Sequence, residues 1–169
     1  MKNNIYIQDN FFEEKFFKKL KKELGKMNFS YRYASSPKDS YGNKNYHHVI
    51  LKPEDLVPQE VKRLIKKHFN YTFKSMESFY FLSFPNTKPI PHQDEYAEQN
   101  CLIFLRGDSL LNNGTGFYEK VNNDYKLHSH VGFKENRAIF FNSTIWHSPL
   151  QWAGNSTARH IMANFIHEK

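Results

Sequence analysis

Residues 136–151 read NRAIFFNSTIWHSPLQ. They split into two short runs, RAIFFNS (137–143) and TIWHSPLQ (144–151), each rich in aromatic and β-branched residues. That composition, set between turn-forming residues, marks β-strands. The same character begins at Tyr71 and persists almost to the end. YTFKSMESFYFLSF (71–84), NCLIFL (100–105), GTGFYEKV (114–121), YKLHSHVGF (125–133) and RHIMANFIH (159–167) bring the set to seven runs. Seven short strands separated by frequent turn signals predict a sandwich or barrel.

Upstream the periodicity changes. IYIQDN (5–10) reads as an opening strand, after which Asp9 or Asn10 can cap a helix over residues 11–25. Phe12, Phe16, Leu20 and Leu24 recur at helical spacing as its buried stripe, and Gly25 is placed to end it. NFSYRYA (28–34) and YHHVILKP (46–53) read as strands around the loop SSPKDSYGNKN (35–45). A second helix is expected over 58–69, with Val61, Leu64, Ile65 and Phe69 inward. The apolar faces of both helices have only the β-rich part to pack against. The expected fold is therefore mainly β: a β core over 71–167, supported by helices and strands in 1–70, as one domain spanning 1–169.

A chain of 169 residues can bury a core without disulfide staples. Its one cysteine, Cys101, excludes an intramolecular disulfide and suits a reduced, cytoplasmic setting. The start, MKNNIYIQDN, lacks the apolar run of a leader, and no stretch of about eighteen apolar residues predicts a membrane span. The net charge is +7, with Lys15, Lys18, Lys19, Lys21, Lys22 and Lys26 in one segment. A basic balance can signal nucleic acid, but here it reads first as a solvated helix face. The abundance of Lys, Asn, Phe and Tyr is also what AT-rich coding favours, which weakens charge as a functional signal.

The chemistry concentrates in PIPHQDEYAEQN (89–100). In an extended segment His92 and Asp94 point to one side, so an imidazole and a carboxylate can converge on one ion. Alone, this pair is a weak signal. IWHSPLQW places His147 on a late strand as a third ligand. Two imidazoles and one carboxylate form a facial triad that leaves coordination positions open. Arg159 follows inside the apolar run RHIMANFIH with no acidic residue nearby in sequence. A buried guanidinium needs a partner, and a small-molecule carboxylate would be a natural bidentate one.

With these residues in order, the chain resembles the Fe(II)/2-oxoglutarate-dependent oxygenases with a double-stranded β-helix (jelly-roll, cupin-like) core, nearest the prolyl-hydroxylase-like branch. The resemblance covers residues 78–167 and rests on His92-x-Asp94, NCLIFL, GTGFY, NRAIFFNSTIWHS and Arg159, in that order. It implies that His92, Asp94 and His147 bind Fe(II), and that Arg159 pairs with the distal carboxylate of 2-oxoglutarate. It places Asn100 where the family often has a polar contact to the cosubstrate. The family's usual second partner for that carboxylate is missing, since Ile161, Ala163 and Phe104 occupy the candidate positions. Tyr80 or Asn164 is the expected substitute. The implied reaction uses O2 and 2-oxoglutarate, releases succinate and CO2, and hydroxylates a small molecule or a peptide or amino-acid side chain. A carboxylate at Asp94 separates the chain from relatives that halogenate.

Other residues offer rival readings. His128 and His130 form a competing H-x-H pair, but no carboxylate or arginine follows them in the expected order. His47 and His48 face opposite ways, and His160 turns away from Arg159 by alternation. Cys101 reads as a small buried hydrophobe. Trp146, Trp152, Phe84 and Tyr96 are core packing or pocket wall, and Arg137 is a surface charge at a strand start. Two alternative functions remain open. One is a nucleic-acid base demethylase of the same superfamily, disfavoured because Arg159 stands alone in its strand. The other is a non-catalytic cupin-like binding module, disfavoured by the intact triad. Substrate choice is expected to reside in loops such as SSPKDSYGNKNYHH, DEYAEQN and GDSLLNN.

Overall fold

In a computed structural model of the chain, residues 4–27, 30–32, 46–83, 90–109, 113–150 and 159–168 are described. The loop SSPKDSYGNKN, Phe84, Trp152 and parts of NFSYRYA and GDSLLNN lie outside the described residues. The elements run β1 Ile5–Gln8, α1 Glu14–Leu24, β2 Ser30–Arg32, β3 Tyr46–Leu51, α2 Leu56–Phe69 and β4 Ser75–Ser83. They continue as β5 Gln99–Arg106, β6 Gly114–Val121, β7 Asp124–Gly132, β8 Arg137–Asn142, β9 Trp146–Leu150 and β10 Arg159–His167. The strands form two antiparallel sheets. The larger has the order β1-β8-β5-β10-β4-β3-β2, and the smaller β7-β6-β9.

The central strands of the larger sheet are covered on both faces, residue by residue. Cys101, Ile103 and Leu105 of β5, with Tyr80, Phe140, Met162 and Ile166, pack under the helices against Val61, Leu64, Ile65, Leu20 and Leu24. Leu102 and Phe104, with Ile139, Phe141, Ala163 and Phe165, face Phe117 and Val131 of the smaller sheet. Alternate residues serve opposite cores, so NCLIFL is continuously apolar instead of alternating. Each fully buried large side chain contributes about 1.5–3 kcal/mol of transfer free energy, and the sandwich collects these on both sides of one sheet. No described helix is long and apolar enough to cross a membrane.

The first helix departs from expectation. It starts at Glu14, and its N-cap, Glu13, makes no side-chain cap bond. Asn136 explains the delay. Its backbone carbonyl accepts from Phe11 N–H (2.9 Å), its Oδ1 accepts from Phe12 N–H (2.9 Å), and its Nδ2 donates to Phe12 O (2.9 Å). The backbone of Phe11 and Phe12 is thus committed across the fold, and both rings are buried in the helix-side core. Phe17, Leu20 and Leu24 form the buried stripe, with Phe16 only partly covered. Gly25 does end the helix, in a right-handed conformation, and a left-handed Asn70 ends α2.

Asp9, expected as a cap, is an ion-pair hub instead. Arg137 Nε and Nη2 reach its two carboxylate oxygens at 2.6 and 3.1 Å, and Lys134 Nζ lies 2.7 Å away. Arg137 is therefore half-buried and paired rather than a free surface charge. The Arg137 hydrogen bond is the main reason the Asp9 carboxyl sits at about 2 instead of 3.8, with Lys134 adding to it against the opposing effect of burial. A depressed folded-state value contributes stability above the unfolded value and loses it as pH falls through the folded one. Asp9→Asn is expected to lower stability at neutral pH by about 0.5–1 kcal/mol, a size set by solvent screening of this partly exposed carboxylate. Thermal melts of both proteins should converge as pH drops from 3.8 toward 2, and a gap that stayed constant across that window would exclude the ion pair as its cause.

Candidate metal centre

His92 and Asp94 lie on the segment entering β5, and β9 holds His147. Backbone hydrogen bonds bring the two stretches together. His92 N–H donates to His147 O (3.0 Å) and His147 N–H to His92 O (2.9 Å), a reciprocal antiparallel pair outside the named strands. Directly paired residues project to the same face, and the two imidazole centroids are 4.5 Å apart. Asp94 N–H donates to Ser143 O (3.0 Å), and the Ser143 hydroxyl donates to Ala97 O, pinning the segment to the β8–β9 turn.

The side chains converge. One donor atom from each of His92, Asp94 and His147 lies within 4.8 Å of the others, and all three residues are buried. His147 Nε2 is 3.2 Å from Asp94 Oδ2, and His92 Nε2 is 3.9 Å from Asp94 Oδ1. Each imidazole Nδ1 meets the carbonyl two residues earlier, His92 with Ile90 O (3.0 Å) and His147 with Ile145 O (2.9 Å). A carbonyl only accepts, so both Nδ1 atoms carry hydrogen and both Nε2 lone pairs point to the shared centre. Burial holds the His92 imidazolium down to about 4, with the neighbouring His147 adding to the effect. For Asp94 burial opposes ionisation, but the adjoining His147 and His92 rings and the hydrogen bond from the Asn100 amide outweigh it and hold the carboxyl below its usual range. A neutral imidazole facing an ionised carboxylate is the protonation state that binds a divalent cation. The donor set and its orientation therefore fit Fe(II).

Arg159 opens β10 at 2% exposure, on the inward side shared by Ile161, Ala163 and Phe165. Its Nη1 donates to Gly114 O and, at 3.5 Å, to Leu150 O. Its buried Nε has no partner, and no acidic group pairs with it among the described residues. Burial lowers the guanidinium to about 10, so it stays charged at neutral pH. An orphaned donor on a buried cation fits an anionic ligand. Leu150 is three residues beyond His147 on β9, or about 10 Å of strand at ~3.3 Å per residue, a span that a five-carbon diacid can bridge. Gly114 has a φ of +148°, and a Cβ there would lie 2.1 Å from Val131 O, so glycine is what lets β6 lie this close to β7 beside the Arg159 contact.

The remaining expectations divide. Asn100 reaches the centre, but its Nδ2 donates to Asp94 Oδ2 at 2.7 Å. Tyr80 does not reach it. It packs under the helices on the opposite face of the larger sheet, with no hydrogen-bond partner for its hydroxyl among the described residues. Asn164 faces the same way, accepting from Ser78 Oγ (2.8 Å) and donating to Cys101 O (2.8 Å). The correction has one cause: around these positions β4 and β10 carry apolar residues on both faces, so hydropathy by itself does not reveal which side holds the ligands. Phe104 does face inward and stacks on Phe133 at 4.7 Å, leaving no hydroxyl there. Sequence reasoning missed Thr115. It is 2% exposed, follows Gly114, and shares the inward side of β6 with Phe117. The signal was available in GTGFY, because residues two apart on a strand share a face.

The rival ligands stay apart. His128 and His130 are exposed on β7. Trp146 packs at a tilt against Tyr125 (4.9 Å) under Lys120, while its neighbour His147 meets Phe141 in the interior. Cys101 is fully buried, and burial pushes its thiol up, which makes it a poor nucleophile.

No protein-family model matches the chain, and no curated protein does. Solved structures do. A prolyl-4-hydroxylase from Pseudomonas putida is 11% identical, covers 99% of this chain and 94% of its own, and superposes with a TM-score of 0.70. A prolyl hydroxylase from Trichoplax adhaerens, in complex with a hypoxia-inducible-factor peptide fragment, is 14% identical over 99% and 84%, with a TM-score of 0.67. The epimerase SnoN, in complex with Fe3+, alpha-ketoglutarate and nogalamycin RO, is 8% identical over 98% and 79%, with a TM-score of 0.66. At these identities the likeness shows the fold: the double-stranded β-helix of 2-oxoglutarate/Fe(II) oxygenases.

Proposed function

We propose that this protein is an Fe(II)- and 2-oxoglutarate-dependent dioxygenase that hydroxylates a small molecule or a peptide side chain. The observation that carries this reading is the convergence of His92, Asp94 and His147 within 4.8 Å, with both imidazole Nε2 atoms turned inward. Bound iron would supply the oxidising chemistry, coupling O2 and decarboxylation of 2-oxoglutarate to insertion of oxygen into a substrate C–H bond, with succinate and CO2 as coproducts.

The chain's own residues bind, orient and exclude water. His92, Asp94 and His147 would hold the iron from one side, leaving the other positions for cosubstrate and oxygen. Arg159 would take the distal carboxylate through its unpaired Nε edge, and the Thr115 hydroxyl would share it. Phe104, Phe133 and Phe117 supply apolar wall, which strengthens that charge pairing by keeping water out. Tyr96, 57% exposed beside Phe165 on the segment after Asp94, would meet substrate near the triad. Structural neighbours in complex with a peptide fragment and with a small molecule support both substrate classes for this reading. Nucleic-acid substrates are disfavoured because no second arginine accompanies Arg159 in β10.

Anaerobic addition of Fe(II) and then 2-oxoglutarate is expected to produce a weak visible charge-transfer band. It should need both components and disappear on chelation. Well-folded protein showing no band would overturn the reading.

A further inference from the structure

We propose that Asn100 is a positioning residue that fixes the Asp94 carboxylate for metal binding. This rests on the metal reading above and assigns Asn100 a role other than touching the cosubstrate. Asn100 is fully buried, and its Nδ2 lies 2.7 Å from Asp94 Oδ2. Its cross-strand neighbours are Phe141 on β8 and Phe165 on β10, both buried and apolar. A polar side chain among such rings is out of place unless it has a task.

The way the amide is satisfied identifies that task. An ionised carboxylate can only accept, so the amide must present its NH2 to Asp94 and turn its oxygen elsewhere. That Oδ1 is buried and without a hydrogen-bond partner among the described residues. A side chain selected for stability at this point would not leave an acceptor orphaned, and leucine of nearly the same shape would fill the space without one. The arrangement sacrifices one polar atom to hold another group's carboxylate. The two imidazoles are oriented by backbone carbonyls, Ile90 O and Ile145 O. Asp94 has no such backbone tie on its carboxylate, and Asn100 is the corresponding outer partner for the third ligand.

Co(II) binding to the apoprotein tests this without turnover. Titration calorimetry and the visible absorption of bound Co(II) would be recorded for wild type, Asp94→Ala, Asn100→Leu and Asn100→Thr. Asn100→Leu keeps the shape and removes the donor, whereas Asn100→Thr restores a donor from a shorter side chain. We expect Asn100→Leu to weaken Co(II) about 10- to 100-fold and alter its absorption, with Asn100→Thr recovering part of the loss. The apo melting temperature of Asn100→Leu should match or exceed wild type, because the orphaned acceptor is gone. Asn100→Ala makes the same comparison should leucine disturb the packing. Wild-type affinity and absorption in Asn100→Leu, or a loss that merely follows unfolding and is no smaller in Asn100→Thr, would overturn the role of Asn100 alone. Equal Co(II) binding by wild type and Asp94→Ala would overturn the metal reading, and this inference with it.

Discussion

Asp94→Ala is expected to abolish iron-dependent succinate formation and to weaken Fe(II) by at least about 100-fold, beyond the upper end of what losing an outer partner costs. The carboxylate is the only anionic donor among the three converging side chains. Without it the centre offers two imidazoles and no anion, with burial holding the His92 imidazolium down to about 4. The fold should survive, because the contacts that assemble the site are main-chain ones. His92 and His147 exchange backbone hydrogen bonds, and the Asp94 N–H reaches Ser143 O; none involves the lost carboxylate. The check is coupled: succinate by mass spectrometry, Fe(II) by equilibrium dialysis, and fold by circular dichroism. Retained iron-dependent turnover in the variant would remove Asp94 from the site.

Arg159→Ala is expected to act on the other end of the cosubstrate. A hydrogen bond to a charged group contributes about 1.5–3 kcal/mol, which converts to a loss of roughly 10- to 100-fold in 2-oxoglutarate affinity. Iron affinity should change little, because Arg159 makes its contacts to Gly114 and Leu150 rather than to the triad. The variant also leaves those carbonyls short of a donor and opens space in the interior, so a lower melting temperature is expected. Arg159→Lys separates the two effects. It keeps the charge but loses the planar fork, and it should hold 2-oxoglutarate with intermediate strength. A ligand that binds only the folded state raises stability by about 2.7 kcal/mol at a hundredfold excess over its dissociation constant. Wild type should therefore melt higher with 2-oxoglutarate present, and Arg159→Ala should gain clearly less at the same concentration, because a 10- to 100-fold weaker ligand is then only about one- to tenfold above its dissociation constant. An equal shift in both would show that the anchor lies elsewhere.

Much of this was legible in the chain itself. GTGFYEKV and RHIMANFIH match β6 and β10 residue for residue. Their limits are written in turn chemistry and β-branched composition, which act locally. His92 and Asp94 were readable as a pair because a period of two is a property of extended backbone alone. Arg159 was readable because a charge in an apolar run needs a partner wherever it folds. Errors arose where a backbone or side-chain group was claimed from a distance. Helix α1 starts late because Asn136, more than a hundred residues away in the chain, takes the backbone of Phe11 and Phe12. Asp9 left its cap position for Arg137 and Lys134 for the same kind of reason.

Local sequence therefore determined which segments are strands and which side chains could bind iron. Tertiary structure alone decided which face of each strand those side chains meet. β4, β5 and β10 are apolar on both sides, since one face packs under the helices and the other meets the smaller sheet. Hydropathy distinguishes a buried face from a wet one, but it cannot distinguish two buried faces from each other. Tyr80 therefore looked available to the cosubstrate and lies behind the sheet, Thr115 went unnoticed and lies inside, and the Asn100 amide was free to be claimed by Asp94.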